Sequence, residues 1–511
     1  MRIMHSGSGR QLGLKLIAAV GLVALADYFF WQQQQVGSSW GVLALALAIV
    51  AVLVRPAVWR RKGAWIAGAL ALLYGAALAD NPSILALLLF AIALTVTILL
   101  PATARFGDGW QWVQRLAFQG VHLPATVISD LLQWSRVRRR STTKRVKATA
   151  LLAQLTLPVL GSAIFLMLFS TANPVLETWL QRLHLPAFDP QLLTRALLWL
   201  AIFHLVWLQL RPRPLRAVIG TFEGRGDLTT PGFSPSALRL SLIAFNAVFA
   251  LQNMMDLAYL GGLAVLPEGM TLADYAHRGA YPLIATALLA GLFTLIALRP
   301  GSSSARDPLT RRLLMAWIAQ NVLLVAMSAE RTLDYVRAYS LTEWRIAALA
   351  WMALVAIGLV LTAWRMLADK SSSWLINSNL VAALAVLTPF TLIDMGGVAA
   401  QWNVRHAKEV GGQGASLDLC YLGSIGASAL LPLVELEQRT DLTPAFRQRV
   451  QVVRHTVQAR VAADQNDDFW TARNARRLAE AERLIGKATI KGALSGYACD
   501  GAPMPPPAPL R

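Results

Sequence analysis

SILALLLFAIALTVTILLP, residues 83–101, runs for nineteen positions without one ionisable side chain. A helix of that length rises about 28 Å, close to the ~30 Å hydrocarbon thickness of a bilayer. Lipid offers no hydrogen-bond partner, so a backbone that enters it must satisfy itself as a helix. Working outward, comparable apolar runs precede it at about 13–30, 40–54 and 63–79. Others follow at about 150–170, 191–210, 237–258, 278–298, 312–332, 345–367 and 374–398. The second and third runs are the shortest. Composition agrees: of 511 residues 56% are hydrophobic and only 15% charged, against about 25% charged in soluble chains. The expected fold class is all-α: a polytopic membrane protein of about eleven transmembrane helices with a C-terminal extracytoplasmic helical domain. Four regions follow from this reading. Residues 1–102 form a four-helix membrane segment and 103–149 a basic amphipathic cytoplasmic loop. Residues 150–398 form a seven-helix membrane domain and 399–511 a helical tail with a proline-rich end, PMPPPAP, read as disordered.

The connections alternate in charge. One set carries Arg55, Arg60, Arg61 and Lys62, then Arg136, Arg138, Arg139, Arg140, Lys144, Arg145 and Lys147. It continues with Arg211, Arg213, Arg216 and Arg225, with Arg299, Arg306, Arg311 and Arg312, and with Arg365 and Lys370. The other set begins with WQQQQVGSS and ADNP, which hold no lysine or arginine. Basic residues mark the cytoplasmic side, which places the N-terminus inside and the tail outside. The net charge of +19 therefore reads as topological rather than as a nucleic-acid surface, and no nucleic-acid partner is expected. Residues 1–26 also resemble a signal peptide, with Arg10, Lys15 and Ala24-Leu25-Ala26. The interfacial look of Asp27-Tyr28-Phe29-Phe30-Trp31 favours a retained helix. Trp31, Trp40, Trp344, Trp374 and Trp402 fall near span ends, as an aromatic belt would. Within 103–148, GWQWVQRLAFQGV and TVISDLLQWSRVRRR read either as amphipathic stretches on an anionic leaflet, with Arg138, Arg139 and Arg140 as lipid contacts, or as a solvated loop that only fixes topology.

Ionisable groups inside spans are functional candidates by default. Asp27, Asp256 and Asp394 each lie near the outer end of an outward-running helix. Asn246, Gln252 and Asn253 share the helix of Asp256, and Asn321 sits mid-span. In RTLDYVRAYSLTEWR, 331–345, Ser340 and Glu343 read as a capping box that starts a helix near Leu341. The preceding helix then runs to Tyr339 and carries Arg331, Asp334 and Arg337 to the outer interface, with Arg331 expected to pair with Asp334 at i, i+3. TLADYAHRGAYPLIA brings Asp274, His277 and Arg278 to the same side. Asp256, Asp274, His277, Arg278, Arg331, Asp334, Arg337 and Glu343 thus outline a candidate outward-facing ligand-binding vestibule. The alternative is that they anchor helix ends at the headgroups and pair for packing.

In the tail, 424–437, 443–463 and 467–486 have helical periodicity. Cys420 and Cys499 would share an oxidising compartment and form a candidate disulfide closing a loop of about 80 residues, worth about 4 kcal/mol; two unpaired thiols are the other reading. No G-x-x-x-x-G-K-[ST], H-E-x-x-H or G-x-S-x-G occurs, the seven histidines stand at no metal-ligand spacing, and His204 reads as a packing residue. No catalytic residue, metal or cofactor is implied.

The stretches FNAVFALQNMMDLAYL (245–260), LPEGMTLADYAHRGAYPL (266–283), RTLDYVRAYSLTEWR, LDLCYLGSIGASALLPL and DFWTARNARRLAEAERL resemble a family of bacterial multi-pass inner-membrane proteins defined only as a domain of unknown function, over about residues 240–485. The resemblance implies a bacterial cell inner membrane and brings no activity with it. The functional expectation is a non-enzymatic protein that binds an ion, lipid or envelope component at its outer face as a transporter, sensor or scaffold, with the bilayer and a membrane or envelope protein as partners. The rival is an enzyme on a lipid-linked or envelope substrate, using Asp256, Asp334 or His277 as acid or base.

Overall fold

A computed structural model describes residues 7–103, 106–121, 190–212, 219–221, 234–261, 306–466, 469–487 and 497–504, with scattered helical positions between 158 and 169 and between 285 and 293. The described residues are helical apart from turns and one isolated bridge between Tyr497 and Pro503. Eight helices are long and apolar enough to cross a bilayer. In the numbering used from here these are α1 (Gly7–Asp27, extended by a π-turn to Gln32), α3 (Lys62–Asp80), α4 (Ile84–Leu99), α6 (Pro190–Leu210), α7 (Pro235–Leu260), α8 (Pro308–Tyr339), α9 (Glu343–Leu367) and α10 (Ser372–Leu392). α2 (Ser39–Leu53) is apolar but only 15 residues long. α5 (Gly109–Val121) is short and amphipathic. The runs at 150–170 and 278–298 lie largely outside the described residues, as do Arg138, Arg139, Arg140, Asp274, His277, Arg278 and the chain end from 505.

α1, α2, α3, α4 and α6 share one apolar core, built around Ala19, Leu43, Tyr74, Leu78, Leu94 and Trp207. Small residues let these helices approach: a Cβ added at Gly41 of α2 would strike the backbone of Ala79 in α3. A second core joins α7, α8 and α9 through Leu242, Leu314, Trp317 and Leu359. α10 connects the two groups, since it packs on α9, α3, α4 and α5 and bonds Thr388 Oγ1 to the Tyr74 hydroxyl at 2.8 Å.

The span expected over 374–398 is shorter. α10 ends at Leu392 after Pro389, residues Ile393 and Asp394 are extended, and α11 (Met395–His406) begins a new direction. Gly396 leaves room there for Glu343, whose Oε1 a Cβ would displace. α11, α12 (Leu419–Ser424), α13 (Leu430–Glu437), α14 (Pro444–Asn466) and α15 (Ala472–Ile485) enclose a third core of Val404, Leu422, Leu430, Leu433, Val450 and Val457. Cys420 and Cys499 are joined as a disulfide, which holds the segment at 497–504 on this bundle beside the Arg449–Asp500 ion pair.

The bundle sits on the membrane-helix face away from the arginine-rich connections. Ser38 N–H donates to the Trp470 carbonyl (2.9 Å), and Arg473 Nε donates to Asp80 (2.7 Å). On the opposite face Arg55 donates to the Ile98 carbonyl, Arg61 to the Thr103 carbonyl (both 2.7 Å) and Arg365 to Ser372 (2.9 Å). α5 lies on that face with its glutamines turned inward. Gln114 bonds both backbone groups of Ile219, and Gln119 donates to the Leu208 carbonyl. Its exposed side carries Trp110 and Val113, as an interfacial helix would. Asp108, just before α5, is buried. Burial alone would raise its carboxyl, but hydrogen bonds from Thr221, the Gln111 N–H and Ser373 hold it below the usual carboxylate range.

Candidate functional site

α7 and α8 run parallel and meet along a polar seam. Arg239 pairs with Asp307 at their N-terminal ends (3.0 Å), and Asp256 pairs with Arg331 near their C-terminal ends. Between these, Asn246 and Asn253, seven residues apart, donate to the carbonyls of Leu313 and Gln320, also seven apart, at 2.9 and 3.2 Å. Seven residues are two helical turns, so one face of α7 addresses one face of α8 in register. Gln320 returns a bond to Asn246 Oδ1 (2.8 Å), and Gln252 steadies Asp256 Oδ1 (2.9 Å).

Burial distinguishes this seam from surface ion pairing. Asp256 is 3% exposed and Arg331 7%. Such charges persist in a low-dielectric interior only when each neutralises the other. The seam also keeps unused acceptors. Among the described residues, Oδ1 of Asn253, Oε1 of Gln320 and Oδ1 of Asn321 accept no hydrogen bond, and Asn253 and Asn321 are 6% and 1% exposed. The bond from Asn253 to Gln320 puts the three amides at one depth.

The structure redistributes the expected vestibule. Arg331, expected to pair with Asp334, reaches across to Asp256. Asp334 pairs with Arg337 (2.6 Å), which also holds Glu330 (3.1 Å), in an exposed triad. The physical reason is orientation: Arg331 lies on the face of α8 turned toward α7, and a buried guanidinium needs a buried carboxylate. Glu343 stands apart from both groups, against Gly396 at the start of α11, its N–H donating to the Tyr421 hydroxyl (3.2 Å). Burial pushes that hydroxyl above its ordinary range. The helix start also shifts. Thr342, not Ser340, caps α9 by accepting the Arg345 N–H, while Ser340 takes φ +71° at the end of α8. That strained turn is held by Asn403, whose side chain bonds both N–H and C=O of Leu341 at 2.7 and 2.8 Å. His204 donates to its own helix at Leu200 (2.7 Å), which fits a packing residue.

Four aspartates at this end of the molecule share one device. Asp27 is clamped by Arg195 (2.8 and 2.6 Å) and Trp199 (2.7 Å) of α6. Asp80 takes Arg473 and Arg476, and Asp394 takes Arg477 and Ser428. Together with Asp256–Arg331, each of these helices carries near its bundle-side end an aspartate claimed by another element. Sequence reasoning missed Arg195, Arg473, Arg476 and Arg477. The last three share a helix face by their i, i+3 and i, i+4 spacing, a signal that was available in ARNARRLAEAERL. Replacing Arg473 and Arg477 together by alanine should loosen the bundle from α3 and α10. Amide exchange at 37–42 and 394–404 is expected to speed up by about tenfold, the value of one lost charge-assisted bond; unchanged exchange would show that apolar contact alone docks the bundle.

These features define an α-helical membrane protein with a helical bundle on one face. The chain belongs to the family described as Domain of unknown function (DUF4153), whose profile matches residues 66–436. The match begins earlier than the expected 240 and ends before α14, so it takes in most of α3 and all of α4, and the last two helices lie beyond it. No curated protein and no solved structure matches the chain.

Proposed function

We propose that this is a non-enzymatic protein of the bacterial inner membrane, of the transporter class, that binds a small cation in the α7–α8 seam. The carrying observation is the set of buried amide oxygens of Asn253, Gln320 and Asn321 without a partner among the described residues, with Asp256 one turn from Asn253, on a seam polar from Arg239–Asp307 to Asp256–Arg331. Oxygen acceptors without donors are the ligand set hard cations prefer. Sensing or scaffolding would not require a polar line along the length of two helices. Asp334 and Arg337 lie nearer the surface, in an exposed cluster with Glu330, while Asp274, His277 and Arg278 lie outside the described residues.

In this reading the N-terminus is cytoplasmic and the bundle periplasmic. Two supports are independent: the basic connections lie opposite the bundle, and the bundle carries a disulfide, a bond kept in oxidising compartments. The count of eleven spans has support from parity. α4 and α6 run parallel, joined near their C-termini by Thr95 and Gln209, and α7 and α8 also run parallel. An odd number of crossings must therefore lie within each intervening stretch, and the runs 150–170 and 278–298 supply one each. Arg138, Arg139 and Arg140 remain proposed contacts with anionic lipid on the inner side.

The test is the thermal midpoint of the purified full chain in sodium, potassium, lithium and choline chlorides at equal ionic strength. One small cation should raise the midpoint above choline, growing with concentration as mass action requires. Asn253→Leu/Asn321→Leu should abolish that rise. Identical midpoints in all four salts would sink the proposal.

A further inference from the structure

The basic face carries a second built feature, away from the seam. α2 has 15 residues and rises about 22 Å, short of the ~30 Å hydrocarbon core. The chain turns at Arg55 and folds into a 3₁₀ turn, Pro56–Arg60, that buries Val58. Beside this turn a hollow of about 380 Å³ opens between α2 and α3, within the range of ligand sites. Its floor is made of small residues, Ala64, Gly68 and Ala71, and its walls of Ile49, Leu53 and Leu72. The floor is fully apolar in effect, because the Thr97 hydroxyl is spent on the Ala93 carbonyl (2.7 Å).

The rim is chemically distinct. Trp59 and Trp65 meet edge to face with ring centres 4.5 Å apart, as interfacial aromatics do. Arg55 and Arg61 are committed to backbone carbonyls. Arg60 and Lys62 are exposed and form no ion pair among the described residues. An apolar hollow thus opens beside Trp59 and Trp65, whose chain neighbours include two exposed cations, Arg60 and Lys62.

We infer that this hollow is a binding site for an anionic glycerophospholipid, one acyl chain lying between α2 and α3 and the headgroup phosphate on Arg60 and Lys62. The short α2 makes room for the chain, and the charge selects the headgroup.

The full chain in phosphatidylethanolamine nanodiscs, doped with diazirine-tailed phosphatidylglycerol or phosphatidylethanolamine, tests this by mapping crosslinked peptides. The phosphatidylglycerol probe should label 48–53 and 64–72 about thirtyfold more than the other probe, as two interfacial charges would give. Arg60→Gln/Lys62→Gln should erase the preference. Ala69→Trp, at an exposed position on the mouth, should reduce labelling here by both probes while Val360 of α9 remains labelled, which reports intact folding. Equal labelling of the wild type by both probes, a preference that survives the double variant, or labelling unchanged by Ala69→Trp would each overturn the assignment.

Discussion

Asp256→Leu should destabilise the protein by about 3–5 kcal/mol, the cost of leaving a buried charge without its partner. Arg331, 7% exposed, has no water to replace the lost carboxylate. The seam also loses the acceptor that orients Gln252. The expected result is a large fall in thermal midpoint and in the monodisperse fraction after detergent extraction. Asp256→Leu/Arg331→Leu should recover most of that loss, because an apolar pair of similar volume is often neutral or better than a buried ion pair. The recovered double variant should still lack the cation-dependent stabilisation. If Asp256→Leu alone is as stable as the wild type, the pair is not buried as described. If the double variant retains the cation response, Asp256 is not part of the cation site.

Cys420→Ser should cost as much. The disulfide closes a sequence separation of 79 residues, and the chain-entropy treatment gives about 4 to 5 kcal/mol for a loop of that size. The loss should fall on the bundle rather than on the spans. The 497–504 segment is held otherwise by the half-exposed Arg449–Asp500 pair and one bridge, both weak tethers. Reductant should reproduce the effect in the wild type and do nothing further to Cys420→Ser. Limited proteolysis should then cut near 497–504 before any membrane connection. A midpoint insensitive to reductant, or intact mass data with two free thiols, would remove the disulfide from the account.

Most of the architecture is legible because lipid imposes one rule on every segment. A run such as 83–101 has no alternative to a helix, and α1, α3, α4, α6, α7, α9 and α10 lie close to where hydropathy puts them. The bundle helices are legible for a different reason: their apolar residues recur with helical period, and Thr443-Pro444 is a start signal; the Thr471 cap on the Asn474 N–H came from the structure. Asp256 and Arg331 stood out as charges where charges are costly. Their partnership did not, because spacing along one helix says which neighbours are within reach and not which way the face turns.

The sequence by itself determined that this is a helical membrane chain, where most of the described spans run, and which ionisable residues demand an explanation. Only the tertiary structure decided who explains them. Arg473 finds Asp80 across 393 positions, Arg195 finds Asp27 across 168, and Asn403 holds the Leu341 turn from another helix. The division has one physical cause. Transfer into lipid is a property each segment carries alone, whereas a buried charge or amide is satisfied by whatever the packed helices bring within 3 Å, and packing is settled by the whole chain at once.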